Sequence, residues 1–532
     1  MSQHSETPGQ IAPRPAPALL LALSFTEGAA VMIAELVGAR MLAPLYGSSL
    51  YVWGAVIGIT LISLTLGYYL GGLLSFRRRR ELVYWLMLIA AVLITAMPSV
   101  AQTLMTAWTD METVKAILLL TTIYLLPPLL LLGATPPLII SILSSEVADA
   151  GKTAGLVYGV STIGGIVATF AAGFYLIPDF GLTRTALGTG VALAVLPFVL
   201  LLGARHYPAV AAPAALAALL MVSLQPVKEH PGVEFRYQSE GLLGQIKIAD
   251  IHLINNVTKS KVTDRVMFVN RTGQTWINLS TAEPRWPYVH YLQSLGSVQP
   301  PGSRALLLGL GGGIVARNLQ AEGYTVDSVE LDRRVAKIAI KYFDLTPNGD
   351  TVVDDGRHYI RSTHRRYDLI VFDVFQAEIP PAHMLTLETF RELKDLLNPG
   401  GFVAINYSGF LTGSVGYGAR SIYKTLLAAG YRVRVLPAGS QGEETRNNVF
   451  VATLDDQDFS APRIPVMEDG RPRAPADLFM DPAAIDVEHA MVLTDDQPIL
   501  EKLNLEAAAI WRAEYLEYFT KPFLQMGIPL FE

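Results

Sequence analysis

The chain has 532 residues, of which 51% are hydrophobic and 17% charged, and its formal net charge is -6. That length allows two or three domains, and the apolar excess, concentrated before about residue 225, is more than a purely soluble protein carries. The acidic balance argues against a nucleic-acid partner, which needs a basic face. The absence of cysteine removes disulfides, thiolate metal sites and cysteine nucleophiles together.

Residues 1–17, "MSQHSETPGQIAPRPAP", lack a basic start, a short apolar core and a small-residue cleavage site, so they read as a disordered leader rather than a signal peptide. Residues 18–224 read as a multi-pass transmembrane helical domain, with apolar runs near 19–44, 51–74, 82–104, 115–143, 154–177, 185–203 and 208–224. Most approach the ~20 residues that a helix needs to cross ~30 Å of hydrocarbon. Gly164, Ala168 and Ala172 recur at four-residue spacing, a face that lets another helix come close. Glu27, Glu35 and Arg40 lie in the first run, where carboxylates are costly and face a bundle interior or a polar cavity. Arg77 to Arg80 form a cluster that stays cytoplasmic and places the N-terminus inside. Seven crossings would then put the remainder outside. The fourth run, carrying Pro127, Pro128, Pro136 and Pro137, is the expected break that keeps it in the cytoplasm.

Residues 225–296 change to short alternating segments, "EFRYQSE", "GQIKIADI", "RVMFVNRTG" and "QTWINLS", which predict a small antiparallel β-sheet. From 297 to 475 strands and helices alternate, as in a Rossmann-like α/β doubly wound domain of parallel strands. Residues 476–532 are a C-terminal helical extension.

In doubly wound sheets ligands bind at the carboxyl ends of the central strands. Four features collect there. The turn of Gly309, Gly311, Gly312 and Gly313 opens a helix, with amides exposed and room for a ligand, which a side chain at Gly312 is expected to fill. Glu330 ends the second strand, where a carboxylate can take both ribose hydroxyls of a nucleoside. Asp355 follows the third strand, placed to accept from an adenine amino group. Asp373 ends the fourth and points to where a second substrate would lie. A dinucleotide dehydrogenase could show the glycine turn, but the acids at the next strand ends, especially in "DDGRHYI", favour an adenosyl-sulfonium site. His290, His358, His364 and His383 show no metal spacing, and no metal is expected.

At these residues the chain resembles the membrane-fused bacterial members of the spermidine synthase (polyamine aminopropyltransferase) family, whose Rossmann-like domain is similar to that of S-adenosylmethionine methyltransferases. The similar pieces are Glu35, Arg40, Pro44 and Gly47, "STIGGIVAT", Gln274 after a hairpin, "GLGGG", "VELDRRV", "DDGR", "YDLIVFDVF", "NPGGF" and "LTDDQPILE". The resemblance implies a nucleoside site made by Gln274, Gly309, Gly311, Gly312, Gly313, Glu330, Asp355 and Gly356, and makes Asp373 the catalytic carboxylate facing the attacking amine. Tyr288 and Tyr407 are expected as cavity walls. Two positions depart from the family's pattern. Ile314 stands where soluble members carry an aspartate for the donor's free amine, and in "DVFQAEIPP" Glu378 is the acid nearest the place of a second aspartate that holds putrescine.

The resemblance implies an integral-membrane aminopropyltransferase of the inner (cell) membrane, with its catalytic domain in the cytoplasm. It would transfer a propylamine group from decarboxylated S-adenosylmethionine to an amine such as putrescine, with no metal. The departures favour a second reading, in which intact S-adenosylmethionine gives a methyl or aminocarboxypropyl group to a lipid or other membrane-resident acceptor. A third is a transporter or sensor that only binds polyamine or nucleoside. The partners expected are a small polyamine or membrane acceptor and the lipid bilayer, with a homodimer left open.

Overall fold

The computed structural model describes residues 17–46, 50–77, 79–108, 111–144, 146, 149–223, 230–241, 243–254, 260–270, 272–374, 381–439, 447–461, 463–465, 471–497, 499–515, 517, 519 and 521–525. The chain divides into two compact units, residues 1–226 with 240–242, and residues 227–239 with 243–532.

The first unit is helical: α1 (Pro17–Tyr46), α2 (Leu50–Leu74), α3 (Arg80–Ala107), α4 (Thr113–Gly133), α5 (Thr135–Leu143), α6 (Ala150–Ala171), α7 (Ile177–Gly203) and α8 (Ala211–Ser223). Five helical stretches are long and apolar enough to cross a membrane, 17–43, 51–74, 80–105, 113–143 and 150–203. Two of the expected runs are therefore continuous: a π-helical turn, Ala172–Leu176, joins α6 to α7. That 54-residue stretch would measure about 80 Å if straight, and it kinks at Gly181, whose φ is 84°. The fourth run breaks between its proline pairs, at Ala134, after 21 residues of α4 that keep Pro127 and Pro128 inside the helix. The nine residues of α5 are too short to span the hydrocarbon alone.

Helix packing here depends on absent side chains. α1 packs along α6, α3 along α7 and α2 along α4. A Cβ on Gly164 would sit 2.1 Å from the carbonyl oxygen of Phe25, and one on Gly28 2.0 Å from that of Ser161. Small residues on both helices thus bring the two backbones together, and Ala168 and Ala172 are buried on the same face. Across this contact Ser161 Oγ donates to Glu27 Oε2 at 2.8 Å, and between α1 and α2 the Arg40 guanidinium lies over the Trp53 ring.

The second unit begins with an antiparallel sheet of β1 (Val233–Gly241), β2 (Gly244–Ile254), β3 (Lys261–Val269) and β4 (Thr272–Asn278), in that order. Helix α9 (Pro287–Gly296) leads into the α/β region: β5 (Arg304–Leu308), α10 (Ile314–Ala321), β6 (Thr325–Glu330), α11 (Arg333–Tyr342), β7 (Thr351–Val353), α12 (Gly356–Ser362), β8 (Tyr367–Phe372), α13 (Leu387–Leu396), β9 (Leu397–Ser408), α14 (Tyr417–Ala428), β10 (Arg432–Ala438) and β11 (Asn447–Thr453). The seven strands lie in the order β10-β11-β9-β8-β5-β6-β7.

This is a Rossmann-like doubly wound sheet with one departure from an all-parallel arrangement. β11 runs antiparallel to both β9 and β10, because its short connection to β10 allows only a hairpin. Alternate residues of β5 supply opposite cores, Ala305 and Leu307 on one face, Leu306 and Leu308 on the other. The chain leaves β5 toward β6 and β7, then returns to β8 on its other side, so the topological switch point lies between β5 and β8. The helices α15 (Leu500–Leu503), α16 (Leu505–Tyr515) and α17 (Lys521–Gln525) follow.

Gly164→Leu should destabilise the helical unit by about 1–3 kcal/mol, the usual cost of overpacking, whereas Gly159→Leu, which meets nothing within 4 Å, should not. Thermal unfolding of both variants in detergent checks this.

Candidate active site

The switch point makes the candidate site. Gly309 follows β5 with φ 85° and donates its amide to the Val329 carbonyl. Gly311 and Gly313 also adopt positive φ, 52° and 79°, so the turn needs glycine there. Gly312 does not. A Cβ on it would meet Thr275 Cγ2 at 2.5 Å, and its amide donates to Thr275 Oγ1 at 2.8 Å. A side chain here would first push on Thr275 of β4, which docks against the turn and lines the same pocket.

Gln274, Trp276, Trp286, Tyr288, Gly311 and Asp373 line a pocket over this turn. Gln274 reaches it through a β-bulge. Met267 pairs with Thr275 and Phe268 with Gly273, which leaves Gln274 without a partner on β3. The bulge suspends the alternation of the strand, so Gln274, Thr275 and Trp276 all reach one pocket. Ile314 and Leu310 give it an apolar side.

Asp373 is half-buried at the pocket's edge. Its Oδ1 accepts from Asn406 Nδ2 at 2.8 Å and its Oδ2 from the Tyr288 hydroxyl at 3.2 Å. Asn406 Oδ1 in turn accepts from Asn447 Nδ2 at 2.8 Å. Burial pushes the Asp373 carboxyl up to about 6, against the lowering effect of Asn406 and Tyr288. Burial beside that carboxylate likewise drives the Tyr288 phenol well up, so it stays a donor.

Glu330 is buried at the end of β6. Its Oε2 accepts from the Leu310 amide at 3.0 Å and its Oε1 from the Asp332 amide at 2.9 Å. Burial holds its carboxyl above the usual range in spite of those bonds. The Gly311 amide bears on it as well, and of the about four acceptor positions a carboxylate offers capacity remains for a ligand hydroxyl. Asp355 is more occupied. Its Oδ1 caps α12 through the amides of Arg357 and His358, and its Oδ2 faces His383 Nε2 at 3.1 Å. Burial opposes its ionisation, but the His358 amide and the His383 imidazole outweigh it and hold the carboxyl below its ordinary value. Gly356 leaves room for Met384 Cε, 2.6 Å from where a Cβ would stand.

One expected residue is placed otherwise. Tyr407 is not a wall of the pocket: it is buried in the core on the far face of β9, with its hydroxyl donating to Asn504 Oδ1 at 2.9 Å. Consecutive strand residues face opposite ways, so Asn406 takes the place at Asp373. Glu378 lies outside the described residues. Asn406 and Asn447 carried no sequence signal beyond their places on strands. The "LTDDQPILE" stretch holds the site from behind: Asp495 accepts from buried Arg357, two residues after Asp355, and from Thr386 Oγ1. Among the described residues there is no cluster suited to a metal ion.

With the geometry in place, comparison with known proteins is specific. Residues 288–411 match the spermine/spermidine synthase domain. That stretch runs from Tyr288 through the glycine turn, Glu330, Asp355, Asp373 and Asn406. A polyamine aminopropyltransferase of Vibrio vulnificus is 32% identical over 177 residues, which cover 32% of this chain and 56% of that protein. An N-terminal histidine N-methyltransferase of Emericella nidulans is 35% identical over 132 residues, 24% of this chain and 22% of that protein. The match therefore spans little more than half of the first and under a quarter of the second. Among solved structures, a probable spermidine synthase from Corynebacterium glutamicum is 19% identical, with a TM-score of 0.39, and the alignment covers 50% of this chain and 97% of that one.

The raised Asp373 carboxyl has a consequence for stability. Ionising it in the fold is a cost absent below the unfolded value of ~3.9 and fully present above about pH 6. Asp373→Asn should therefore melt at or above the wild-type temperature at pH 8, with the advantage vanishing toward pH 4. Thermal melts across that range test it.

Proposed function

We propose that the second unit is a spermidine synthase-like aminopropyltransferase, with a nucleoside donor over the glycine turn and an amine acceptor at Asp373. The observation that carries this reading is a carboxylate at the strand end beside a glycine turn, raised to about 6 and without a cation partner among the described residues. In the reaction, the lone pair of a neutral amine attacks the propyl carbon bonded to the sulfonium. The C–S bond breaks, its electron pair stays on sulfur, and methylthioadenosine leaves. The amine's surplus proton passes to Asp373, whose affinity near neutrality suits a general base. Glu330 takes the ribose hydroxyls, Gln274 and the turn hold the nucleoside, and Tyr288 and Asn406 keep the Asp373 carboxylate oriented.

A second reading is supported by the methyltransferase relative: intact S-adenosylmethionine gives a methyl or aminocarboxypropyl group to a membrane-resident acceptor. Ile314 at the pocket supplies no acid for the amino group that intact and decarboxylated donor both carry. Product analysis with intact and decarboxylated donor, each with putrescine or with lipid extract, separates the two.

We further propose that the first unit spans the membrane six times, through α1, α2, α3, α4, α6 and α7. The last apolar helical stretch, 207–223, has 17 described residues and reaches about 25 Å, short of the ~30 Å core. Six crossings return the chain to the side of Arg77 to Arg80, so the catalytic unit faces the cytoplasm, where its donor is made. On this reading the stretch 207–223 stays out of the count and the proline-rich run crosses once, through α4.

Purified full-length protein should bind methylthioadenosine by calorimetry; binding of NAD with none of any adenosyl-sulfur compound would refute the enzyme reading. Asp373→Asn should keep that binding and lose transfer about 100-fold or more, and wild-type transfer should fall as pH drops through about 6. Alkaline phosphatase fused after residue 230 should be inactive and green fluorescent protein bright; the reverse would place the unit outside.

A further inference from the structure

The C-terminal segment places a row of aromatic rings against one face of the small sheet. Trp511 stacks on Tyr515 with ring centres 5.0 Å apart, Tyr515 on Phe519 at 4.8 Å, and Phe519 meets Phe523 at 5.3 Å. Phe519 and Phe523 are buried in the same cluster as Val266 and Phe268 of β3.

Two contacts connect this row to the pocket. β4 is an edge strand, so amides on its outer side lack a strand partner. At the bulge, the Gly273 amide donates to the Tyr515 hydroxyl at 2.7 Å. The residue after Gly273 is Gln274, which the bulge delivers to the pocket. Phe519 packs edge-on against Trp276 at 5.4 Å, and Trp276 lines the same pocket and meets Trp286 edge-on at 5.7 Å. A bulge is a local interruption of the ladder, with weaker backbone pairing than the strand around it. Something must fix its shape if Gln274 is to be held.

We propose that the C-terminal aromatic row is a positioning element for the donor site: Tyr515 pins the bulge that aims Gln274, and Phe519 backs Trp276. The residues of the row do not touch the pocket; they act through β4. This rests on the reading of the pocket as a nucleoside site, so the test has one arm that depends on that reading and one that does not.

The independent arm is amide hydrogen exchange on the ligand-free, full-length protein. Tyr515→Phe keeps the ring and removes the hydroxyl. It should raise exchange in peptides covering 267–277 while peptides from β5 and β8 stay unchanged, since local opening is governed by local bonds. Unchanged exchange at 267–277, or a uniform rise throughout the unit, overturns the proposal. The dependent arm is methylthioadenosine affinity. Tyr515→Phe should weaken it about fivefold to tenfold, the range for one lost hydrogen bond. Combined with Gln274→Ala it should add nothing further, because both act through one side chain. Additive losses overturn the proposal. Wild-type protein that fails to bind methylthioadenosine refutes the nucleoside reading instead, and the exchange arm still decides whether Tyr515 pins the bulge.

Discussion

At the centre of the second unit, Gly309 and the carbonyl of Asp373 lie so close that no side chain fits between them. A Cβ on Gly309 would stand 2.2 Å from that oxygen. The closeness follows from parallel pairing: Leu308 is opposite Phe372, and the Asp373 amide donates to the Leu308 carbonyl. The chain must turn away from the sheet at the next residue, with φ near 85°, a region that L side chains avoid. The glycine turn and the Asp373 backbone are therefore one tightly packed piece. Such a piece suits the proposed transfer, whose reacting atoms must be held in line.

Around that piece the carboxylates fall into two groups. Asp250 and Asp327 are buried with arginines, and although burial opposes their charge, Arg265 and Arg236 on one, and the Asp350 amide with Arg365 and Arg304 on the other, hold them ionised. These are structural pairs. Asp373 and Glu330 receive only neutral donors among the described residues, and both are raised. A buried acid without a counter-charge is unfavourable for folding, and it is repaid when a cation arrives. Both carboxylates therefore lack a counter-charge among the described residues.

Much of this was legible in the residue order. Alternating strands and helices, the glycine turn, and acids at successive strand ends follow from local patterns of period and composition, and the structure brings Gly309, Glu330 and Asp373 to one edge. What was hidden depends on pairings distant in the chain. That Asn406 rather than Tyr407 faces Asp373 is a matter of register, and a shift of one residue reverses it. Asn447 reaches the site only because β11 inserts beside β9. In the helical unit, composition marked apolar stretches but not where they end. The π-helical turn that fuses two of them has no apolar signature of its own, since Ala172 to Leu176 are as apolar as the helices they join.

The bulge at Gln274 shows how two sheets come to share one pocket. A regular strand presents every second residue to a given side, and β4 would then offer either Thr275 or its neighbours, not all three. Adding one residue allows Thr275 to hold the Gly312 amide while Gln274 and Trp276 also reach the pocket. Gly312 lacks a side chain for the same reason, since Thr275 occupies the space. The glycine turn thus carries two distinct requirements: Gly309, Gly311 and Gly313 for backbone conformation, and Gly312 for the docking of another element. Three glycines set the turn's shape, and the fourth sets how near the small sheet can come.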